Sequence, residues 1–202
     1  MKKALLIVDV QKDFCPGGSL AVPNGDEVVK PLNNLAVHAL LYGWSLFASR
    51  DWHPLVTKHF SNYGGIWPIH CVQNTRGAEF HYGLYMNAAG TFYKTEIVSK
   101  GVQPDEDGYS AFDGNCDQLE KPLLEVLNLQ GITEIYIGGL ATDYCVRASA
   151  LDAVKYGFKT YLLLDACRAV NLKPGDGEKA VEEMKKAGVI ITTTGEVMSG
   201  KV

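Results

Sequence analysis

Cys145 offers the most reactive chemistry in the chain. It lies in Gly138 to Ala148, read as GGLATDYCVRA. The apolar run Ile132 to Ile137 precedes it, and in Ser149 to Gly157, which follows, Ala150, Leu151 and Val154 recur at helical spacing. That pattern predicts a strand, a tight turn and a helix. Gly138 and Gly139 permit backbone angles that other residues resist, and Thr142 or Asp143 is placed to cap the helix by accepting from its free amides. Cys145 then falls in the first helical turn, where unpaired N–H groups and the helix dipole favour a thiolate, the nucleophilic form. A cysteine taken alone is more often a buried structural residue, so its surroundings must decide.

A second constellation begins at Asp51-Trp-His53, which places a carboxylate and an imidazole on the same side of extended chain. His59 and His70 follow within one loop. Mixed Asp and His donors suit zinc, manganese or iron better than calcium or magnesium. The alternative is a set of solvent-exposed loop histidines. His38, in a predicted helix, and His81, beyond the loop, read as structural or surface residues.

Asp9 and Lys100 complete the candidates. Asp9 lies near the end of the apolar run Ala4 to Val10, where a carboxylate either caps a loop or faces an active-site crevice. A thiol that attacks a carbonyl needs a base, and Asp9 is the only early carboxylate at a strand end. Lys100 would hold Asp9 and tune its proton affinity. Backbone amides at Ala141 and Cys145 would stabilise a tetrahedral oxyanion, a contribution of ~3 to 4 kcal/mol per donor.

The elements that must position these groups alternate in type. Strands are predicted at Ala4 to Val10, Trp44 to Ser49, Thr91 to Ser99, Ile132 to Ile137, Phe158 to Asp165 and Val189 to Thr194. Helices are predicted from Asp26 to the stop at Gly43, over Cys116 to Leu129, after Cys145, and over Gly177 to Ala187. Phe14 to Ser19 and Val102 to Asn115 read as loops. Arg50 to Phe80 is a long connection whose aromatic residues and histidines argue for function rather than disorder. Such alternation predicts an α/β fold: an open, mostly parallel sheet with helices on both faces and right-handed crossovers, a Rossmann-type three-layer arrangement. Ligands in such sheets bind beyond the carboxyl ends of the strands. Asp9, Asp51, His53, Lys100 and Cys145 all fall at or past strand ends on that rim.

The 202 residues suit a single domain spanning 1–202. Five cysteines without C-x-x-C spacing make a disulfide framework a poor reading and a reducing, cytoplasmic location the expected one. Cys15, Cys71, Cys116 and Cys167 read as structural. Met-Lys-Lys and Ala4 to Val8 imitate a signal peptide, but Asp9 and Gln11-Lys-Asp13 interrupt the apolar segment too early. The net charge of −4, without basic runs or membrane-length apolar stretches, argues against nucleic-acid and membrane partners. It leaves room for an oligomer.

IVDVQKDF at Ile7 to Phe14, DWH at Asp51 to His53, WPIHC at Trp67 to Cys71 and GLATDYCV at Gly139 to Val146 together resemble the nicotinamidases, or pyrazinamidases, of the isochorismatase-like cysteine hydrolase superfamily. The resemblance implies a triad of Asp9, Lys100 and Cys145, and one divalent transition metal ion (zinc, iron or manganese) on Asp51, His53 and His70. His59 matches a fourth ligand used in some members. It also implies a cis peptide bond between Leu140 and Ala141, and a substrate ring enclosed by Phe14, Trp67 and Tyr109. The segment from Lys100 to Tyr109, with Asp105-Glu-Asp107, is longer and more acidic than the family pattern.

The activity so implied is hydrolysis of nicotinamide, and of similar heteroaromatic amides such as pyrazinamide, to the acid and ammonia through a thioester, a step of NAD salvage. Two rivals stand beside it. One is a related hydrolase for ureido or other small amides, expected to lack the metal-binding loop. The other is a metal-dependent binding protein without turnover, against which the intact Asp9, Lys100 and Cys145 argue.

Overall fold

The computed structural model describes residues 1–85 and 95–202. The apolar runs form one sheet, which among the described residues has eight strands: β1 (Lys2–Val8), β2 (Ser45–Asp51), β3 (Thr95–Lys100), β4 (Asn115–Cys116), β5 (Lys121–Pro122), β6 (Ile132–Leu140), β7 (Lys159–Arg168) and β8 (Ile190–Thr192). Their order is β5-β4-β3-β2-β1-β6-β7-β8. Neighbours from β3 through β8 pair in parallel, while β4 and β5 form an antiparallel edge. The expected strand over Thr91 to Ser99 is found from Thr95 onward, and its first four residues lie outside the described ones.

Helices α1 (Val29–Leu41), α2 (Leu123–Gln130), α3 (Arg147–Lys155), α4 (Asp176–Lys186) and α5 (Thr194–Met198) cover both faces of the sheet. The alternation within β1 divides two cores. Leu5 and Ile7 pack with Leu32, Leu35 and Ala36 of α1 and Val197 of α5. Ala4, Leu6 and Val8 pack with Leu123, Val126 and Leu127 of α2, Ala150 and Ala153 of α3 and Met184 of α4. A strand buried on both faces needs such a continuous apolar sequence.

Strand β1 pairs with both β2 and β6, so the chain winds outward in both directions from its centre. That is a topological switch point, where the crevice of an open α/β sheet lies. The approach there is close. Gly139 has φ +134° and faces Val8, whose carbonyl oxygen would lie 2.0 Å from any Cβ at that position. Only glycine fits.

Two expectations fail. The helix predicted over Cys116 to Leu129 starts at Leu123. Cys116 instead pairs in the sheet with Val98, and Leu119 is exposed. The cause is Pro122, which within a helix would lack its N–H and clash with the preceding turn, and which here stands extended just before α2. The predicted caps fail as well. Residues Thr142–Val146 form a π-helical turn with neither Thr142 nor Asp143 as its cap. The Asp143 carboxylate instead accepts from the amides of Val170 and Asn171 at 2.9 and 2.8 Å, tying the turn to the loop after β7.

Candidate active site

The topology brings four strand ends together. Asp9 follows β1, Asp51 ends β2, Lys100 ends β3, and Cys145 sits in the turn after β6. Asp51 and Lys100 are direct partners in the parallel register. The backbone turns abruptly at Asp9, which takes a left-handed φ of 49°. Its carboxylate accepts from the Ser49 hydroxyl at 2.7 Å and lies 2.8 Å from the Lys100 ammonium.

Lys100 is wholly buried, an arrangement that only charge pairing and hydrogen bonds can sustain. Its Nζ pairs with Asp9, donates closely to Asp51 and donates to the Gly108 carbonyl at 2.7 Å, with the Cys145 sulfur 3.5 Å away. Sulfur, acid and amine therefore meet, as the sequence predicts.

The charges settle unequally. Burial pushes the Asp9 carboxyl up, only partly countered by Lys100 and aided by Asp51. Burial would raise Asp51 too, but the Lys100 ammonium beside it holds it well below the usual carboxylate range. Lys100 stays an ammonium because Asp51 and Asp9 outweigh its desolvation. The expected thiolate is not found. Burial pushes the Cys145 thiol well above its ordinary value, Asp9 and Asp51 add to the rise, and Lys100 offsets only part of it. Burial thus favours the thiol at Cys145, and forming a thiolate there would require a base.

The long loop after β2 gathers the imidazoles. His53 is bound at its backbone to Cys71 and Gln73, which brings His70 beside it. One ring nitrogen from each of His53, His59 and His70 lies within 4.8 Å of the others. Asp51 Oδ2 is 3.6 Å from His53 Nε2 and 3.7 Å from His70 Nε2. The Nδ1 atoms face the Gly101 carbonyl at 3.0 Å, the Asp107 carboxylate at 2.9 Å and the Pro68 carbonyl at 2.8 Å for His53, His59 and His70 respectively. Those oxygens accept, so each Nδ1 carries the proton and each Nε2 keeps its lone pair, the tautomer of a metal-ligating histidine. His53 Nε2 is buried without a hydrogen-bond partner. These donors fit a divalent metal ion, whose charge would also balance the second carboxylate beside Lys100.

Burial holds the His59 imidazole down at about 4, against the pull of Asp107. It is thus neutral near pH 7. An unfolded histidine titrates near 6.5, so the unfolded chain takes up the proton first. The stability from neutral His59 is complete above that value and drains away as pH falls toward 4. The metal-free protein is expected to lose about 2 to 3 kcal/mol from this group between pH 7 and 4.5. Urea unfolding at both values, beside His59→Gln, checks it, and an equal loss in the variant would refute the assignment.

A narrow cavity opens onto Cys145 and Ala141, with Phe14, Trp67 and Tyr109 among its walls. The Trp67 indole N–H donates to the Tyr109 hydroxyl at 2.9 Å, and Phe14 packs on His70 at 5.4 Å between ring centroids. The Leu140–Ala141 peptide bond is cis. A wider hollow lies at the opposite pole near Trp44 and Met198. Its Lys3 is already committed to Tyr136 and Glu134.

Several contributors escape sequence reasoning. Leu20, Tyr144 and Val170 also line the cavity, Tyr144 meeting Trp67 edge-on at 4.7 Å. Gln11 is buried, and its amide exchanges hydrogen bonds of 2.8 Å with the backbone N–H and C=O of Asp51. Asp13 accepts from the Cys71 amide at 2.8 Å and so fixes the chain beside His70. The signals for Gln11 are its place two residues past Asp9 and its presence in the IVDVQKDF motif.

Fold and site together define a class, the cysteine hydrolases built on an open α/β sheet. The isochorismatase domain matches residues 3–196, and the chain belongs to this family. It is 39% identical to the nicotinamidase of Escherichia coli over 95% of this chain and 94% of that one. The pyrazinamidase of Pyrococcus horikoshii in complex with zinc superposes with a TM-score of 0.84 at 43% identity, covering 96% of this chain and 99% of that one. A protein from L. infantum in complex with nicotinate gives a TM-score of 0.80 at 33% identity, over 96% and 93% of the two chains.

Proposed function

We propose that the protein hydrolyses nicotinamide to nicotinate and ammonia, and pyrazinamide likewise. The observation that carries this reading is the buried meeting of Cys145, Asp9 and Lys100 inside an aromatic cavity beside Asp51 and three imidazoles. Its similarity to the nicotinamidase of E. coli and the pyrazinamidase of P. horikoshii, and to the L. infantum protein in complex with nicotinate, supports it.

Asp9 accepts the thiol proton, a task to which its raised carboxyl is suited. The sulfur attacks the amide carbon, and the amides of Ala141 and Cys145 hold the oxyanion. Asp9 returns the proton to the departing nitrogen, which leaves as ammonia. Water then attacks the thioester, Asp9 takes its proton, and the acid departs as the thiol is restored. Lys100 keeps Asp9 placed and balances its charge throughout. The three groups titrate as a unit.

Asp51, His53, His70 and His59 would hold the metal, for which zinc, iron and manganese suit the donor set. When bound, the ion supplies an electron-pair acceptor for the pyridine nitrogen, directly or through its water, which positions the ring. Phe14, Trp67 and Tyr109 clasp the ring faces. We place the enzyme in the cytoplasm because all five cysteines are free. No described helix is long and apolar enough to cross a membrane.

The test is ammonia release from nicotinamide with nicotinate identified as co-product in equal amount. Chelation is expected to abolish most of the rate and added zinc or manganese to restore it. Turnover of ureido compounds with none of nicotinamide would replace this reading with a related hydrolase.

A further inference from the structure

The segment between Lys100 and Tyr109 does more than connect. It crosses back over the histidine loop and grips three consecutive residues of it. The Pro104 carbonyl accepts from the Thr57 hydroxyl at 3.0 Å and the Lys58 amide at 2.9 Å, Asp105 pairs with Lys58 at 2.6 Å, and Asp107 accepts from His59 Nδ1 at 2.9 Å. Three successive residues then face three parts of the site. Asp107 holds His59, the Gly108 carbonyl accepts from Lys100, and the Tyr109 hydroxyl accepts from Trp67.

The imidazoles are not held alike. His53 and His70 donate to backbone carbonyls, whereas His59 donates to a carboxylate. A carboxylate partner fixes the ring's tautomer and orientation and makes the far nitrogen a better electron-pair donor. We propose that Asp107 is a positioning residue that orients His59 as a metal ligand, so that residues 107–109 fasten metal site, amine and aromatic wall as one unit. This rests on the metal reading of Asp51, His53, His59 and His70 given above.

Zinc affinity of the metal-free full chain, measured in competition with a chromogenic chelator, tests it without recourse to turnover. Outer-shell partners typically govern 10- to 100-fold in metal affinity, and because Asp107 is exposed we expect a loss of about tenfold in D107A. D107N still accepts from Nδ1 but lacks the charge, and falls between D107A and the parent. It also carries the test if metal-free D107A does not fold. D105N breaks only the exposed pair with Lys58 and should bind zinc within about twofold of the parent. Parent-like affinity in D107A and D107N would overturn the inference, as would a loss in D105N equal to that in D107A. A parent chain that binds no zinc overturns the metal reading and this inference together, whereas a parent that binds zinc but leaves nicotinamide intact leaves this inference standing.

Discussion

Cys145→Ala is expected to fold as the parent does, to bind nicotinamide, and to release ammonia on the order of a million-fold more slowly, the loss seen when one member of a catalytic triad that acts as a unit is removed. The prediction follows from the geometry of a single sulfur. Cys145 is buried, faces the cavity and is 3.5 Å from the Lys100 ammonium. It has no disulfide to lose. Removing one sulfur from the cavity wall leaves the Asp9–Lys100–Asp51 pairing in place, so the fold should survive. Single-turnover ammonia release, with calorimetric nicotinamide binding as the control for an intact site, checks both halves. A rate within a few-fold of the parent would remove Cys145 from the mechanism and with it the thioester.

Lys100→Met has a different signature, because it damages fold and chemistry together. Methionine approximates the length of the side chain but leaves Asp9 and Asp51 buried beside one another without their shared cation. Breaking a buried ion pair by deleting one partner costs ~3 to 5 kcal/mol, chiefly through the uncompensated charge that remains. The deficit should be greatest at neutral pH and shrink as pH falls. Two adjacent carboxylates deprived of Lys100 have folded-state proton affinities raised above those of the unfolded chain, so the folded variant gains stability as it takes up a proton. Denaturant unfolding of metal-free parent and variant at pH 7 and 5 reads this directly, and a deficit that grew on acidification would contradict it. Zinc should recover part of the loss by pairing with Asp51, but turnover should stay absent because Asp9 is no longer held.

Much of this site was legible because chemistry and topology agree. Continuous apolar runs reveal a central parallel sheet, and a parallel sheet delivers whatever follows each strand to one rim, so Asp9, Asp51, Lys100 and Cys145 could be placed together without a contact in view. What could not be read depended on interactions between segments. Apolar spacing in Cys116 to Leu129 is helical throughout, and only the competition between Pro122 and the free edge of β3 makes its first part a hairpin. Asp143 has the type and position of a cap, yet the amides of Val170 and Asn171 claim it across the fold. Free amides in the adjoining turn favour a thiolate at Cys145, but burial outweighs them, and the charges of Asp9 and Asp51 add to the rise. The structural tasks of Gln11 and Asp13 were not legible because their partners, Asp51 and Cys71, lie far along the chain.

The central place of β1 governs when this enzyme can come into existence. Its neighbours are the second strand made and a strand from the later half of the chain. During synthesis Asp9 emerges first, Lys100 well after it, and Cys145 last of the three. A polypeptide synthesised only as far as β3 therefore carries Asp9 and Lys100 without the Cys145 sulfur. Hydrolytic competence arrives only when β6 docks against β1, through contacts distant in sequence of the kind that slow folding.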